Sequence, residues 1–280
     1  MPSTEAPTMA VSMTDYTPRP DRFDQAGKDQ LIDAHDLEVT QPGMRRLRAW
    51  SHDALGLRPG ERALDIGSGT GSEVFVFADA VGPTGTAVGV EPDMNLLASA
   101  QRRAKERSST ATFATGDAYG LPFGADSFDA VLCERVFQHL TAPARAAAEI
   151  ARVLRPGGRV VVVDSDWATA IVHPGDPRVA GAVVDTLISS TTNPLAGRKL
   201  AGQLSAAGLV VDEIGSHALV QDRRVGAGAL VSRIAELAVL RGVITAADRD
   251  QLLADLQTGA DRGDVHISVT MFGVLAHKPE

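Results

Sequence analysis

One stretch of this chain concentrates residues able to do chemistry. Arg62–Glu73 reads Arg-Ala-Leu-Asp-Ile-Gly-Ser-Gly-Thr-Gly-Ser-Glu. A short apolar run (Ala63, Leu64, Ile66) leads into Gly67, Gly69 and Gly71, and an apolar, helix-like segment, Val74–Val81, follows. Glycine has no Cβ, so the backbone can turn sharply here and lie against a ligand. The N–H groups that open the next helix then face that ligand. Two acceptor carboxylates, Glu91 and Asp117, each follow another short apolar run. His139, in Val136-Phe137-Gln138-His139-Leu140, is the first candidate for a general base. Histidine titrates at about 6.5, which suits proton removal near neutrality. A helix-start histidine bonded only to its neighbours is the other reading. Asp164 and Asp166, ending a strand, and Tyr16, His35 and His173 are further candidates.

The elements that must hold these groups follow a regular rhythm. Strands are expected over Arg62–Ile66, Thr86–Val90, Ala111–Thr115, Ala130–Cys133 and Arg159–Val163, most with a helical stretch between them. Gln41-Pro42-Gly43 should end any helix over Asp21–Asp36, and Met44–Leu55 has helical spacing. Arg155-Pro156-Gly157-Gly158 suits a tight turn after a helix over Ala142–Leu154. Residues 168–195 read as an irregular insertion. Helices are expected over Leu195–Ala207, Leu230–Leu240 and Ala246–Leu256, and final strands over Leu209–Val220 and Val265–Leu275. Thr245 is a plausible N-cap. The expected fold is α/β, a Rossmann-like seven-stranded, mostly parallel sheet with helices on both faces. Ligands of such sheets sit at the carboxyl ends of the strands, where the loop glycines, Glu91 and Asp117 all fall. The expected organisation is a mobile tail over 1–20 and one domain over 21–280. Its additions are an N-terminal helical lid (21–57) and caps after the fifth and sixth strands (168–195 and 223–264).

Composition removes several function classes. The formal charge of −8 argues against a nucleic-acid binder, which needs a basic stripe. No segment approaches the roughly 20 apolar residues of a membrane span. Met1–Thr17 lacks the basic and apolar regions of a secretory signal. The single cysteine, Cys133, rules out an internal disulfide framework and a multi-cysteine zinc site, so no metal is expected and a cytoplasmic location is the default. A dinucleotide fingerprint wants Gly-x-Gly-x-x-Gly, yet counting from Gly67 puts Ser72 at the third glycine, and counting from Gly69 puts Val74 there. No Gly-Lys-Ser/Thr follows for a Walker loop.

The Leu-Asp-Ile-Gly-Ser-Gly-Thr-Gly run instead resembles motif I of the class I S-adenosylmethionine (SAM) dependent methyltransferases. The resemblance covers Arg62–Asp166. It includes Val-Gly-Val-Glu-Pro, Thr115-Gly116-Asp117-Ala118, Leu121-Pro122-Phe123, Phe128-Asp129 and Arg152–Gly158. In these it is similar to small-molecule enzymes of the ubiquinone/menaquinone C-methyltransferase type. The resemblance implies SAM as cofactor. Gly67, Ser68, Gly69 and Gly71 would approach its methionine part, with Asp65 holding the turn. Glu91 would accept the ribose hydroxyls. Pro92, Asp93 and Met94 would pack on adenine, whose edge Gly116-Asp117-Ala118 would meet. Glu134 and Arg135 would line the methionine end, and Arg46 would pair with its carboxylate from the lid. The acceptor would be a small, apolar or aromatic molecule; carbon, nitrogen and oxygen all remain open as the methylated atom, as does a homodimer. A SAM-binding cyclase, scaffold or sensor without methyl transfer is the alternative, and a nicotinamide-dependent oxidoreductase a third.

Overall fold

The computed structural model describes residues 42–280. The expected tail, the helix over Asp21–Asp36, Tyr16 and His35 lie outside the described residues. The first described element is α1 (Pro42–Leu55), followed by β1 (Arg62–Ile66), α2 (Ser72–Val81), β2 (Thr86–Glu91) and α3 (Met94–Glu106). Next come β3 (Thr112–Thr115), β4 (Phe128–Glu134), a short 3-10 turn (Phe137–His139) and α4 (Pro143–Val153). The chain continues through β5 (Leu154–His173), α5 (Pro177–Ser190), α6 (Ala196–Ala206) and β6 (Val210–Val220). It closes with α7 (Gly228–Leu240), α8 (Ala246–Arg262) and β7 (His266–His277).

The seven strands form one sheet in the order β3-β2-β1-β4-β5-β7-β6. The first five are mutually parallel, and β7 runs antiparallel between β5 and β6. The order reverses between β1 and β4, which is where a sheet of this kind opens a crevice. Alternate strand residues feed two cores, as the period of two demands. Leu64, Val88, Val131 and Val160 pack with α4 and α6, while Ala63, Ala87, Leu132 and Val161 pack with α1, α2 and α3. Val160–Val163 are fully buried, the continuous apolar run of a central strand.

Pro42 opens α1, two residues before the expected Met44, since proline is tolerated in the first turn, where its missing N–H has no partner to lose. Two sequence expectations need correction. Residues 168–195 are not irregular. β5 carries on to His173 because Ile171, Val172 and His173 pair with Ser268, Ile267 and His266 of β7. Asp176 then caps α5, accepting from the N–H groups of Arg178 and Val179. Finally, α8 runs six residues beyond Leu256 to Arg262, where Gly263, at φ +68°, ends it. A Thr245–Asp248 capping box starts it.

α1, the described half of the expected lid, is docked on the sheet. Met44, Leu47 and Leu55 are buried. The Trp50 indole lies over Gly215 and Gly273, which pair across β6 and β7. A Cβ on Gly273 would overlap that ring, and one on Gly215 would come within 3.2 Å. The indole N–H donates to Glu213 (3.0 Å). The other added helices, α5, α7 and α8, share a separate apolar cluster of Val179, Val183, Val231, Ile234, Leu252 and Leu256. Val172 and Ile267 pack against it from the β5–β7 extension, so the long antiparallel ribbon is what carries the cap.

Candidate functional site

The glycine loop leaves β1 at the point where the strand order reverses. Gly67 has φ +75°, and a Cβ there would run into the Val136 side chain, so no other residue fits. The N–H groups of Gly67 and Ser68 both donate to the Val90 carbonyl (2.8 and 3.0 Å), pinning the loop to β2. The Gly69 N–H donates to Glu91 Oε2 (2.9 Å), and the Asp93 N–H to Glu91 Oε1 (2.9 Å). Glu91 is thus held by one backbone N–H on each oxygen, with further lone pairs left for a diol. Burial raises its pKa, and the two N–H bonds oppose that rise. Ser68 Oγ is buried with no hydrogen-bond partner.

Asp93 is the N-cap of α3, accepting from Asn95 (2.7 Å) and Leu96 (3.3 Å). Met94 beside it is 62% exposed, and the Thr115 hydroxyl donates to its sulfur (3.7 Å). β2 and β3 therefore end next to one another, with Pro92, Asp93 and Met94 on one side and Gly116, Asp117 and Ala118 on the other. Asp117 Oδ1 accepts from the Tyr119 N–H (2.8 Å), an Asx turn, and leaves Oδ2 for a ligand. The Tyr119 hydroxyl in turn accepts from the N–H groups of Thr141 (2.8 Å) and Ala142 (3.2 Å). It supplies the start of α4 with a cap that Ala142 cannot.

Below the loop lies a buried ionic cluster that the sequence reading missed in part. Arg48 of α1 donates through Nε (3.1 Å) and Nη2 (2.8 Å) to Glu134 at the end of β4. Its Nη1 pairs with Glu73 Oε1 (2.8 Å) and donates to Ser72 Oγ (3.3 Å). His52, one turn along, meets the other oxygen of Glu73. Burial alone would lower the Arg48 pKa, but Glu134 and Glu73 outweigh it and the net shift is upward. Asp65 is fully enclosed, and burial followed by the charges of Glu73 and Glu134 pushes its carboxyl well above the usual range. Arg46, the expected carboxylate partner, is placed elsewhere: it is exposed and donates to His217 Nε2 of β6 (3.2 Å). Residues two apart on a helix point to different sides, so Arg48 enters the crevice where Arg46 does not. The (i, i+4) spacing of Arg48 and His52 was the available signal.

At the end of β4, Arg135 has φ +59°, uncommon for a side chain of its size, and its N–H donates to Val163 of β5 (2.8 Å). The 3-10 turn then presents His139. Its side chain reaches solvent, yet protein surrounds much of it; that desolvation, and then the Arg135 charge, lowers its pKa. The ring is accordingly neutral near pH 7, the state a base requires. Asp164, at the end of the parallel part of β5, accepts from Gln138 N–H (3.0 Å) and Ser165 N–H (2.7 Å). Burial raises it to about 7 despite those bonds. Asp166 is buried against Arg198 (Nη2, 2.9 Å). His173 is not brought to the site: it lies at the far end of β5, 3.9 Å from Asp264.

The crevice therefore combines a glycine cradle, the Glu91 diol acceptor and, around the Arg48 guanidinium, the carboxylates of Glu73 and Glu134. Such a wall fits a ligand carrying positive charge and repels a pyrophosphate.

Comparison with known proteins agrees. Residues 64–162 match a family model described as a methyltransferase domain. The chain is 32% identical over 183 residues to a ubiquinone/menaquinone biosynthesis C-methyltransferase of Ectopseudomonas mendocina, covering 64% of this chain and 68% of that protein. It is 32% identical over 208 residues to the nocamycin O-methyltransferase of Saccharothrix syringae, covering 69% and 70%. Two further curated relatives are matched over only 55% and 60% of their length. Among solved structures, a phosphoethanolamine N-methyltransferase 2 of Haemonchus contortus in complex with S-adenosyl-L-methionine superposes with a TM-score of 0.59. It is 21% identical, with 98% of this chain and 62% of that chain covered, and shares the fold.

Proposed function

The chain belongs to the class I S-adenosylmethionine-dependent methyltransferases, and from that premise we propose that it methylates a small, apolar or aromatic acceptor. Bound SAM supplies an electrophilic methyl carbon on a positively charged sulfur, and is left as S-adenosylhomocysteine (SAH). The residues present suit that cofactor. Glu91 would hold the ribose hydroxyls, and Gly67–Gly71 would lie along the methionine part. Met94, Pro92 and Asp93 would flank adenine, with Gly116, Asp117 and Ala118 at its edge. Arg48, rather than Arg46, would meet the methionine carboxylate, while Glu134 and Asp65 face the ammonium end, with Arg135 beside them.

The acceptor's nucleophilic atom must lie in line with methyl and sulfur, so holding it there supplies much of the acceleration. His139 would take the proton that a phenol, alcohol or acidic carbon loses as it gains the methyl group. The carbon- and oxygen-methylating relatives both support a small organic acceptor. The charge of −8 supports one that is not a nucleic acid, and a single buried cysteine suits the reducing cytoplasm. No helix among the described residues is long and apolar enough to cross a membrane.

The carrying observation is the carboxylate cluster around Arg48, which matches a sulfonium zwitterion and mismatches a dinucleotide. Calorimetry tests it: SAH should bind and NAD should not. Tighter binding of NAD would overturn the cofactor assignment. Mass spectrometry of an acceptor panel should then show one compound gaining a methyl group in place of a hydrogen as SAH accumulates. SAH binding without turnover on any acceptor would favour the cyclase, scaffold or sensor alternative.

A further inference from the structure

We propose that Trp167 is the platform on which the acceptor lies, that Gln138 sets its angle, and that the acceptor carries a flat ring able to stack on the indole. This rests on the methyl-transfer reading and adds to it the residue that selects the second substrate.

The observation behind it is a break in the β5–β7 ladder. Asp166 pairs with Thr270 and Ile171 with Ser268, so Trp167, Ala168, Thr169 and Ala170 together stand opposite Val269 alone. A bulge of this size turns side chains out of their regular alternation, and bulges recur beside active sites for that reason. This one is pinned. The Thr169 hydroxyl donates to the Asp166 carbonyl (2.7 Å) and accepts from the Thr270 N–H (2.8 Å), and the Ala168 N–H donates to Asp166 Oδ1 (3.2 Å).

The bulge aims Trp167 at the turn that carries His139. The indole N–H donates to Gln138 Oε1 (2.9 Å), and the Trp167 N–H donates to the Pro194 carbonyl (2.9 Å). Gln138 is itself held at every polar group. Its N–H goes to Asp164 and its carbonyl accepts from the Asn193 N–H (2.9 Å). Its Oε1 also accepts from the Ser165 hydroxyl (2.8 Å), and its Nε2 donates to the Arg135 carbonyl (3.4 Å). A buried amide with all its groups engaged fixes whatever it touches. It touches an indole on one side and precedes the candidate base on the other.

The indole's only polar atom is already used, and the ring is half-buried rather than enclosed. What it can still offer a ligand is its flat π-face, which favours offset stacking with another ring. Trp167 lies just past the carboxyl end of the parallel part of β5, where Asp164 accepts from the turn that carries His139.

The test uses menadione, a flat naphthoquinone, added to the SAH complex. By calorimetry, Trp167→Leu should weaken menadione at least about tenfold and Gln138→Leu about fivefold, with SAH affinity within about twofold of wild type in both. A merely structural role would move both ligands together. The chain has two tryptophans, so Trp50→Phe leaves Trp167 as the sole emitter. Its emission should be quenched saturably by menadione, at the calorimetric affinity. Failure of wild type to bind menadione, an unchanged affinity in Trp167→Leu, or linear quenching like that of a free indole would overturn the proposal. Failure to bind SAH at all would instead strike the methyltransferase reading.

Discussion

The two halves of the crevice are built by different means. On the cofactor side, between β1, β2 and β3, backbone groups do most of the holding. Gly67, Ser68, Gly69 and Asp93 all donate through N–H, and the acceptors sit within a few dozen residues along the chain. On the side proposed for the acceptor, between β4, β5 and the cap, side chains bridge distant segments: Trp167 to Gln138, Asn193 to Phe137, Arg198 to Asp166. A backbone-built pocket recognises one fixed shape and is insensitive to most neighbouring substitutions. A pocket built by side chains on an antiparallel ribbon can be re-cut by a few changes without disturbing its other half. That division suits an enzyme family that keeps one cofactor and varies its second substrate.

Arg48 gives the largest expected effect, and it is the side-chain exception in the half proposed for the cofactor, tied to Glu134 of β4. Arg48→Ala would leave Glu73 and Glu134 buried without their counter-charge. Breaking such a pair from one side costs about 3–5 kcal/mol. A fall in thermal midpoint together with loss of SAH binding is expected. Arg46→Ala, on an exposed side chain, should change neither. Equal effects of the two variants would dissolve the distinction between them.

His139 probes the other half. His139→Gln should lower turnover about a hundredfold if the acceptor needs a base, with SAH affinity unchanged. The pH dependence carries the sign. The imidazole works as a base when neutral, and its pKa is lowered, so wild-type rate should fall only as pH drops below about 6.5. That limb should vanish in the variant. A limb centred at about 7 that survives in His139→Gln would belong to Asp164, whose protonation as pH falls removes a charge beneath the same turn.

Glu91 returns to the cofactor half with a smaller effect. Glu91→Ala should weaken SAH by about 1–3 kcal/mol through lost charge-assisted hydrogen bonds, read by calorimetry. The Gly69 and Asp93 N–H groups lose their acceptor as well, so some of that loss reflects the loop. Adenine alone should be affected less than SAH.

The same contrast explains what could be read from sequence. The half proposed for the cofactor was legible as geometry because it is local: Gly67, Gly69, Glu91 and Asp117 each sit at the end of a short apolar run that identifies itself. Arg48 was missed for Arg46 because only the docking of α1 on the sheet, through Trp50 against Gly215 and Gly273, fixes which side faces the crevice. The β5 extension was missed because its β-branched residues, Thr169, Ile171 and Val172, are too few and too close to Pro174 to read as a strand alone, and they are held by pairing with a segment about a hundred residues later. The placement of Trp167 against Gln138 went unnoticed for the same reason, since a bulge exists only relative to its partner strand.

Asp117 gives the smallest effect and the finest test of how the cofactor half works. Its Oδ1 closes an Asx turn with the Tyr119 N–H, and Tyr119 caps α4, so the residue has both a turn to hold and a ligand to meet. Asp117→Asn keeps the acceptor oxygen for the turn while removing the charge and replacing one oxygen with an N–H donor. If the turn is the main contribution, SAH affinity should drop by less than about 1 kcal/mol. Asp117→Ala loses the turn as well and should weaken SAH further, with added hydrogen exchange at Thr141 and Ala142 as the strut from Tyr119 loosens. Should Asn bind as poorly as Ala while the amides stay protected, the carboxylate acts on adenine directly. The loop would then be a recognition element rather than a backbone-shaped frame.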